Sequence, residues 1–188
     1  MLDNTLGFLR DALNHHIAAG PHAGADLVVL GKPRTLDASV AGHLGGKLLM
    51  SLLHIGRDTS AVPFAQSRAA DAGDLRSTPP LQLELTVLVS ASFTDHEVGL
   101  KHLSTVLAYF HAHPVFHAGS APAMPKGLDR VDVGIADLDV CGLNQLWASI
   151  GGNALPAVVY RVRVLAPAEA ADTEALPATP QQALDTTD

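Results

Sequence analysis

One cysteine, Cys141, stands among 188 residues, so no internal disulfide can staple the chain and its core must hold by packing alone. A reducing cytoplasm suits such a protein. Next to Leu143, Leu146 and Trp147, Cys141 reads as a buried, inert thiol. Charge is scarce as well: 16% of residues are charged against 47% apolar, a balance that suits a packed domain with apolar surface left over for association. No run of about 18 apolar residues occurs, so no segment is expected to span a membrane. The opening Met1-Leu2-Asp3-Asn4 lacks the basic start and apolar stretch of a secretory signal.

Basic residues are missing altogether from residues 167–188, which carry Glu169, Asp172, Glu174, Asp185 and Asp188. All twelve Lys and Arg precede that segment, so the net charge of −7 falls to −2 over residues 1–166. A body so close to neutral is not built to neutralise phosphates, and no nucleic-acid partner is expected. The length fits one domain over residues 1–166, followed by a disordered acidic Pro/Ala/Thr tail over 167–188.

Leu2, Leu6, Leu9, Leu13 and Ile17 recur at helical spacing, with Asp3 or Asn4 as cap and Gly20-Pro21 as stop. Asp26 to Gly31 is a short strand, and Lys47 to Ile55, apolar on both faces, reads as a buried strand in preference to a helix turn. A long loop from Thr59 to Pro80 follows. Leu81, Leu83, Leu85, Val87 and Val89 then alternate with polar residues in the clearest strand of the chain, where Leu88 on the polar face implies partial cover there too.

Thr94 and Glu97 read as a capping box, with Phe93 and Val98 as its staple, for a helix striped by Leu100, Leu103, Val106, Leu107 and Phe110 and ended by Pro114. A loop from Ala118 to Gly127 leads to a strand alternating Val131, Val133 and Ile135. A short helix follows, with Leu143, Leu146, Trp147 and Ile150 on its stripe and Gly151 as its stop. Val158 to Val164 is the last strand, and Trp147 is expected in the core.

Sites of chemistry are hard to find. His111, His113 and His117 form the tightest histidine group, yet no acidic residue lies between Glu97 and Asp129 to orient metal ligands, so they read as a solvated helix end. His15-His16 reads the same way. Gly42 to Leu48 only superficially resembles a phosphate loop: its first glycine is misplaced and Leu48 stands where a hydroxyl residue would hold magnesium. Asp137 and Asp139 read as same-face neighbours on a solvated strand edge rather than as an acid/base pair. Arg161 and Arg163 share a strand face and can pair with acidic residues of a neighbouring strand or subunit.

The run Pro79-Pro80-Leu81-Gln82-Leu83-Glu84-Leu85-Thr86-Val87-Leu88-Val89, the helix that follows with His113-Pro114-Val115-Phe116, then Leu146-Trp147-Ala148 and Pro156-Ala157-Val158-Val159-Tyr160-Arg161-Val162, give an order of motifs. In that order the chain resembles the cap-protein N-terminal domain of contractile, phage-tail-like injection systems. The resemblance covers roughly Leu2 to Leu165. It implies an α/β subunit similar to phage tail terminators, assembled as a ring that ends the tube and holds the last layer of sheath. The polar stretch that family members carry after the second strand stands here as Gly56-Arg57-Asp58-Thr59-Ser60, and their approach to the last strand as Ala154-Leu155-Pro156-Ala157.

The expected fold is α/β (α+β): a mixed, mostly antiparallel sheet covered by two longer helices and one short helix. The expected role is structural and not enzymatic, with no cofactor and no metal. Partners would be further copies of the chain in a ring, expected as a hexamer, together with tail tube and sheath proteins, all assembled in the cytoplasm. Candidate contact residues are Arg57, Asp58, Arg68, Arg76, Arg161 and Arg163, with the Thr59 to Thr78 loop, the Ala118 to Gly127 loop and the first helix as candidate contact segments. Two other readings compete: a small metal-dependent hydrolase using His111, His113 and His117, and an adaptor that docks a partner by its sheet edge without forming a ring.

Overall fold

The computed structural model describes residues 1–20, 26–32, 45–58, 81–117, 119, 124–151 and 154–166. The expected loop at 59–80 and tail at 167–188 lie outside them, and so do Arg68 and Arg76. Helix α1 (Leu2–Ala18) leads to the three-residue strand β1 (Val28–Leu30). Strands β2 (Lys47–Arg57) and β3 (Leu81–Ser92) come next, then helix α2 (His96–Ala112). Strands β4 (Val115–His117) and β5 (Arg130–Ile135), helix α3 (Val140–Ile150) and strand β6 (Ala157–Ala166) complete the order among the described residues. The six strands form one sheet in the order β1-β2-β3-β6-β5-β4, antiparallel throughout except for the parallel pair β1-β2. The expected mixed, mostly antiparallel architecture is present, and it includes β4, a strand that the sequence reading does not propose.

Alternation along the strands sorts side chains between two faces. Leu48, Met50, Leu85, Val87, Val89, Val131, Val133, Tyr160, Val162 and Val164 point to the face that carries α1 and α2. Leu6, Phe8, Leu9, Leu13 and Ile17 of α1 meet them, as do Leu103, Val106 and Phe110 of α2. Each fully buried Leu or Val stabilises the fold by roughly 1.5–3 kcal/mol relative to exposure, so this inner face dominates stability. The opposite face carries only a small cluster, Leu88, Trp147 and Val159, where α3 lies against the sheet. Trp147 is therefore core, and Leu88 is covered, as its place on the polar face of β3 implies.

Helix α1 ties down both edges of the curled sheet. The Asn14 side-chain amide donates to the Val28 carbonyl at 2.9 Å and accepts from the Val28 N–H at 2.8 Å, so a side chain takes the place of a neighbouring strand on β1. At the other edge Phe8 meets Phe116 of β4 edge to face, with ring centroids 5.3 Å apart. A bulge between Leu52 and His54 lets β2 keep its inward set past an extra residue, Leu53, which packs on the α3 side.

Several local expectations need correction. Helix α1 starts one residue before Asp3, with Met1 at its N-cap and no side-chain cap; Asp3 instead sits in the first turn, bonded to the chain's own ammonium group at 3.2 Å. The cap of α2 is Asp95, whose carboxylate accepts from the N–H groups of Glu97 at 2.9 Å and Val98 at 3.3 Å. With the start one residue later than Thr94, Glu97 is free to pair with Lys101 at 2.8 Å, and Phe93 stacks on His102 instead of stapling Val98. Leu100 is exposed, and Gly99 and His102 turn inward. Strand β5 ends at Ile135, so Asp137 and Asp139 do not share a strand; Asp139 caps α3 by accepting from the Gly142 N–H at 2.7 Å. Cys141 is exposed, because it lies six residues before Trp147 and off the stripe that α3 turns to the sheet.

Candidate assembly surface

Helix α3 covers only the half of the outer face near Leu88, Ala157 and Val159. The other half presents the even-numbered residues of β3 and the odd-numbered residues of β6, and these are charged. Arg163 lies opposite Glu84 on one side and Asp132 on the other, while Arg161 lies opposite Thr86 and Gly134. Arg161 Nε reaches Glu84 Oε1 at 3.3 Å. Arg163 Nε sits 3.6 Å from Asp58 Oδ2 and 4.0 Å from Glu84 Oε2, close enough for ion pairing but beyond hydrogen-bond distance. Arg130 donates to Asp132 at 2.7 Å, and that bond holds its guanidinium protonated even more firmly than usual. Three arginines and three carboxylates thus form a flat, self-neutralised lattice.

Asp58, Arg161 and Arg163 were legible as candidates, and the lattice brings them together. Arg57 stays apart: it pairs in register with Leu83, so the alternation turns it to the helix side, and no ion pair holds it among the described residues. Glu84, Asp132 and Arg130 were missed as members. Their strand alternation was visible, but only the cross-strand register shows that they are neighbours of Arg163.

Beside the lattice, a groove of about 690 Å³ opens between α3 and the bulged part of β2, lined by Leu53, His54, Thr86, Leu138, Leu146 and Ile150. Its walls are mostly apolar, and Val140 and Leu143 elsewhere on α3 are exposed.

The histidines take part in a different structure. The Tyr109 ring lies between His16 and His113, with centroid separations of 4.8 Å on both sides, and His113 Nδ1 stands 3.0 Å from the Tyr109 carbonyl. This stack joins the last turns of α1 and α2, and burial pushes the Tyr109 phenol up. His111, His113 and His117 are all exposed. Among the described residues no three His, Cys, Asp or Glu side chains converge as a metal site would require. Lys47, the last residue but one of the superficial phosphate loop, opens β2 and donates to the Asp26 carbonyl at 2.7 Å. No described helix is long and apolar enough to cross a membrane.

Residues 6–179 match the model of one protein family, described as the Pvc16 N-terminal domain. The chain belongs to that family. The resemblance carried by the motif order from Pro79 to Val162 is borne out by that match. No curated protein sequence matches the chain. Among solved structures, this chain is similar to the sheath/tube terminator of an extracellular contractile injection system, PVC, in its extended state. That likeness has a TM-score of 0.53 and 13% identity over 100% of this chain and 64% of that one. It is also similar to the tube-terminating cap of the anti-feeding prophage, with a TM-score of 0.51 and 19% identity over 95% of this chain and 59% of the other. At these identities the likeness establishes a shared fold. This chain spans about three fifths of the length of each of those two proteins.

Proposed function

We propose that this protein is a structural cap subunit that ends the tube and sheath of a contractile injection particle as a homo-oligomeric ring, expected as a hexamer. The observation that carries the reading is the fold, shared along the whole chain with a sheath/tube terminator and along nearly all of it with a tube-terminating cap. Family membership supports it, and so does the surface: a charged lattice and an apolar groove share one sheet face and offer contacts to other proteins. Work of this kind is mechanical. A cap needs rigid placement of contact residues, and a sheet locked at both edges by α1 supplies it.

In this reading the protein is not an enzyme, it assembles in the cytoplasm, and its partners are its own copies with tube and sheath subunits. Asp58, Arg161 and Arg163 belong to the contact face, and Arg57, Arg68 and Arg76 are further contact residues in this proposal. The test is deletion of the gene from a producing strain, with particle lengths measured by electron microscopy. Tubes of uncontrolled length or sheaths that shed are expected; particles of unchanged length and integrity would refute the proposal.

A further inference from the structure

The molecule exposes two apolar patches of opposite flanking charge, at opposite ends of its strands. One lies where β5 passes into α3. Val140 is 75% exposed, and Leu138 and Leu143 of the same stretch are exposed as well, whereas Ile135, 62% exposed at the end of β5, pairs with Tyr160 and so points to the helix side. From Ile135 to Ala157 the only charged residues are Asp137 and Asp139, so this patch is apolar with an acidic rim. It stands by the end of β3 that α3 covers, near Leu88 and Val159.

The second patch lies at the other end of β3, on the helix side of the sheet. Ile55 is 44% exposed and Leu81 47%. Ile55 pairs with Leu85 and Arg57 with Leu83, so alternation sets Ile55, Arg57 and Leu81 on one face, with Leu81 diagonal to Arg57. Arg57 is exposed and has no ion pair among the described residues. This patch is apolar with a basic rim.

Neither patch can reach the other within one chain, because the sheet separates them by face and by strand end. From this we infer that they join between copies: the acidic-rimmed patch at α3 of one subunit seats the basic-rimmed Ile55-Arg57-Leu81 patch of the next. Apolar side chains leave water at the centre, and Asp137 faces Arg57 at the rim. The contact is head to tail, so an open series keeps one unused patch at each of its two ends until it closes. The inference rests on the ring reading and names the surfaces that would make the ring.

The test uses the full chain, with oligomer mass read by native mass spectrometry and sedimentation. Wild type is expected to form oligomers larger than a dimer. Val140→Asp and Ile55→Asp should each give monomers, and a mixture of the two variants should give a heterodimer and nothing larger, since each retains one intact patch. Both positions are exposed, and circular dichroism checks that the variants fold. An independent pair covers the rim: Asp137→Arg or Arg57→Asp alone should weaken self-association by about tenfold, and the double variant should recover most of that loss. A monomeric wild type would overturn the inference. So would oligomers that survive both Asp substitutions, a mixture that stays monomeric, or a charge swap without recovery. A chain that assembles in this way yet leaves particle length unaltered keeps this inference and loses the cap reading. A monomer that still sets particle length does the reverse.

Discussion

The two faces of the sheet are built to different standards. Against α1 and α2, residues of both helices and of all six strands close a single core, with Leu13, Leu48, Leu85, Val89, Val106 and Val131 removed from solvent. Against α3, three buried residues do the equivalent work, and Trp147 is the only buried residue of that helix. Where α3 stops, the outer face turns from apolar to a lattice of paired charges that contributes little to stability. The difference separates two tasks: the covered inner face holds the fold, and the outer face, with the uncovered strip of inner face at Ile55 and Leu81, remains available to partners.

If that division is right, substitutions should rank accordingly. The largest effect is expected for Leu13→Ala on the inner face, a loss of about 3–4 kcal/mol from transfer and cavity costs together, measured by urea unfolding. Trp147→Ala should cost less, about 2 kcal/mol, below the usual range for a buried Trp because its cluster is small. Hydrogen exchange should show α3 losing protection while α1 and β3 keep theirs. Equal losses at Leu13 and Trp147 would break the comparison. Asn14→Ala removes both bonds to Val28 and should cost about 1.5 kcal/mol; thermal melting reads it directly.

Smaller effects sharpen the same contrast. Glu84→Ala takes one carboxylate from the lattice, where both arginine partners are partly exposed, and should change stability by less than about 1 kcal/mol, with the change shrinking in high salt. Tyr160→Phe should be close to neutral at pH 7. The Tyr160 hydroxyl is buried without a hydrogen-bond partner among the described residues, and desolvation pushes its pKa above the usual 10.0. With its folded pKa raised, Tyr160 leaves the balance between the states unchanged below pH 10.0, where the phenol is protonated in both, and stability falls as the pH rises above that value, where only the unfolded chain ionises. The variant should therefore lack the Tyr160 part of the alkaline loss of stability seen in pH-dependent melting.

Much of the fold was legible because it rests on periodicity. The α1 stripe, the alternation of β3 and β6, and the stop of α3 at Gly151 all follow from spacing that one face of an element imposes on its residues. Leu88 on the polar face of β3 even signalled a second layer. What stayed hidden depends on pairing across the sheet. Nothing local in Arg57 and Arg161 tells that the first faces the helices and the second the lattice; the bulge after Leu52 and the register with β3 decide it. Capping was read one residue early at α2 because Thr94 and Asp95 are both good caps and the choice depends on where Phe93 packs. Cys141 looked buried because its neighbours are apolar, but a short helix with one anchor leaves most of its apolar residues outside.

Asn14 gives the molecule a property that matters most when many copies crowd together. The Val28 N–H and carbonyl are occupied by that side chain, so at this rung an incoming chain finds its place taken. A particle built from repeated subunits must let some surfaces meet and keep others from meeting. Here one amide acts as the veto, steering neighbours away from edge-to-edge pairing and toward the sheet face and loop ends where contact can be selective.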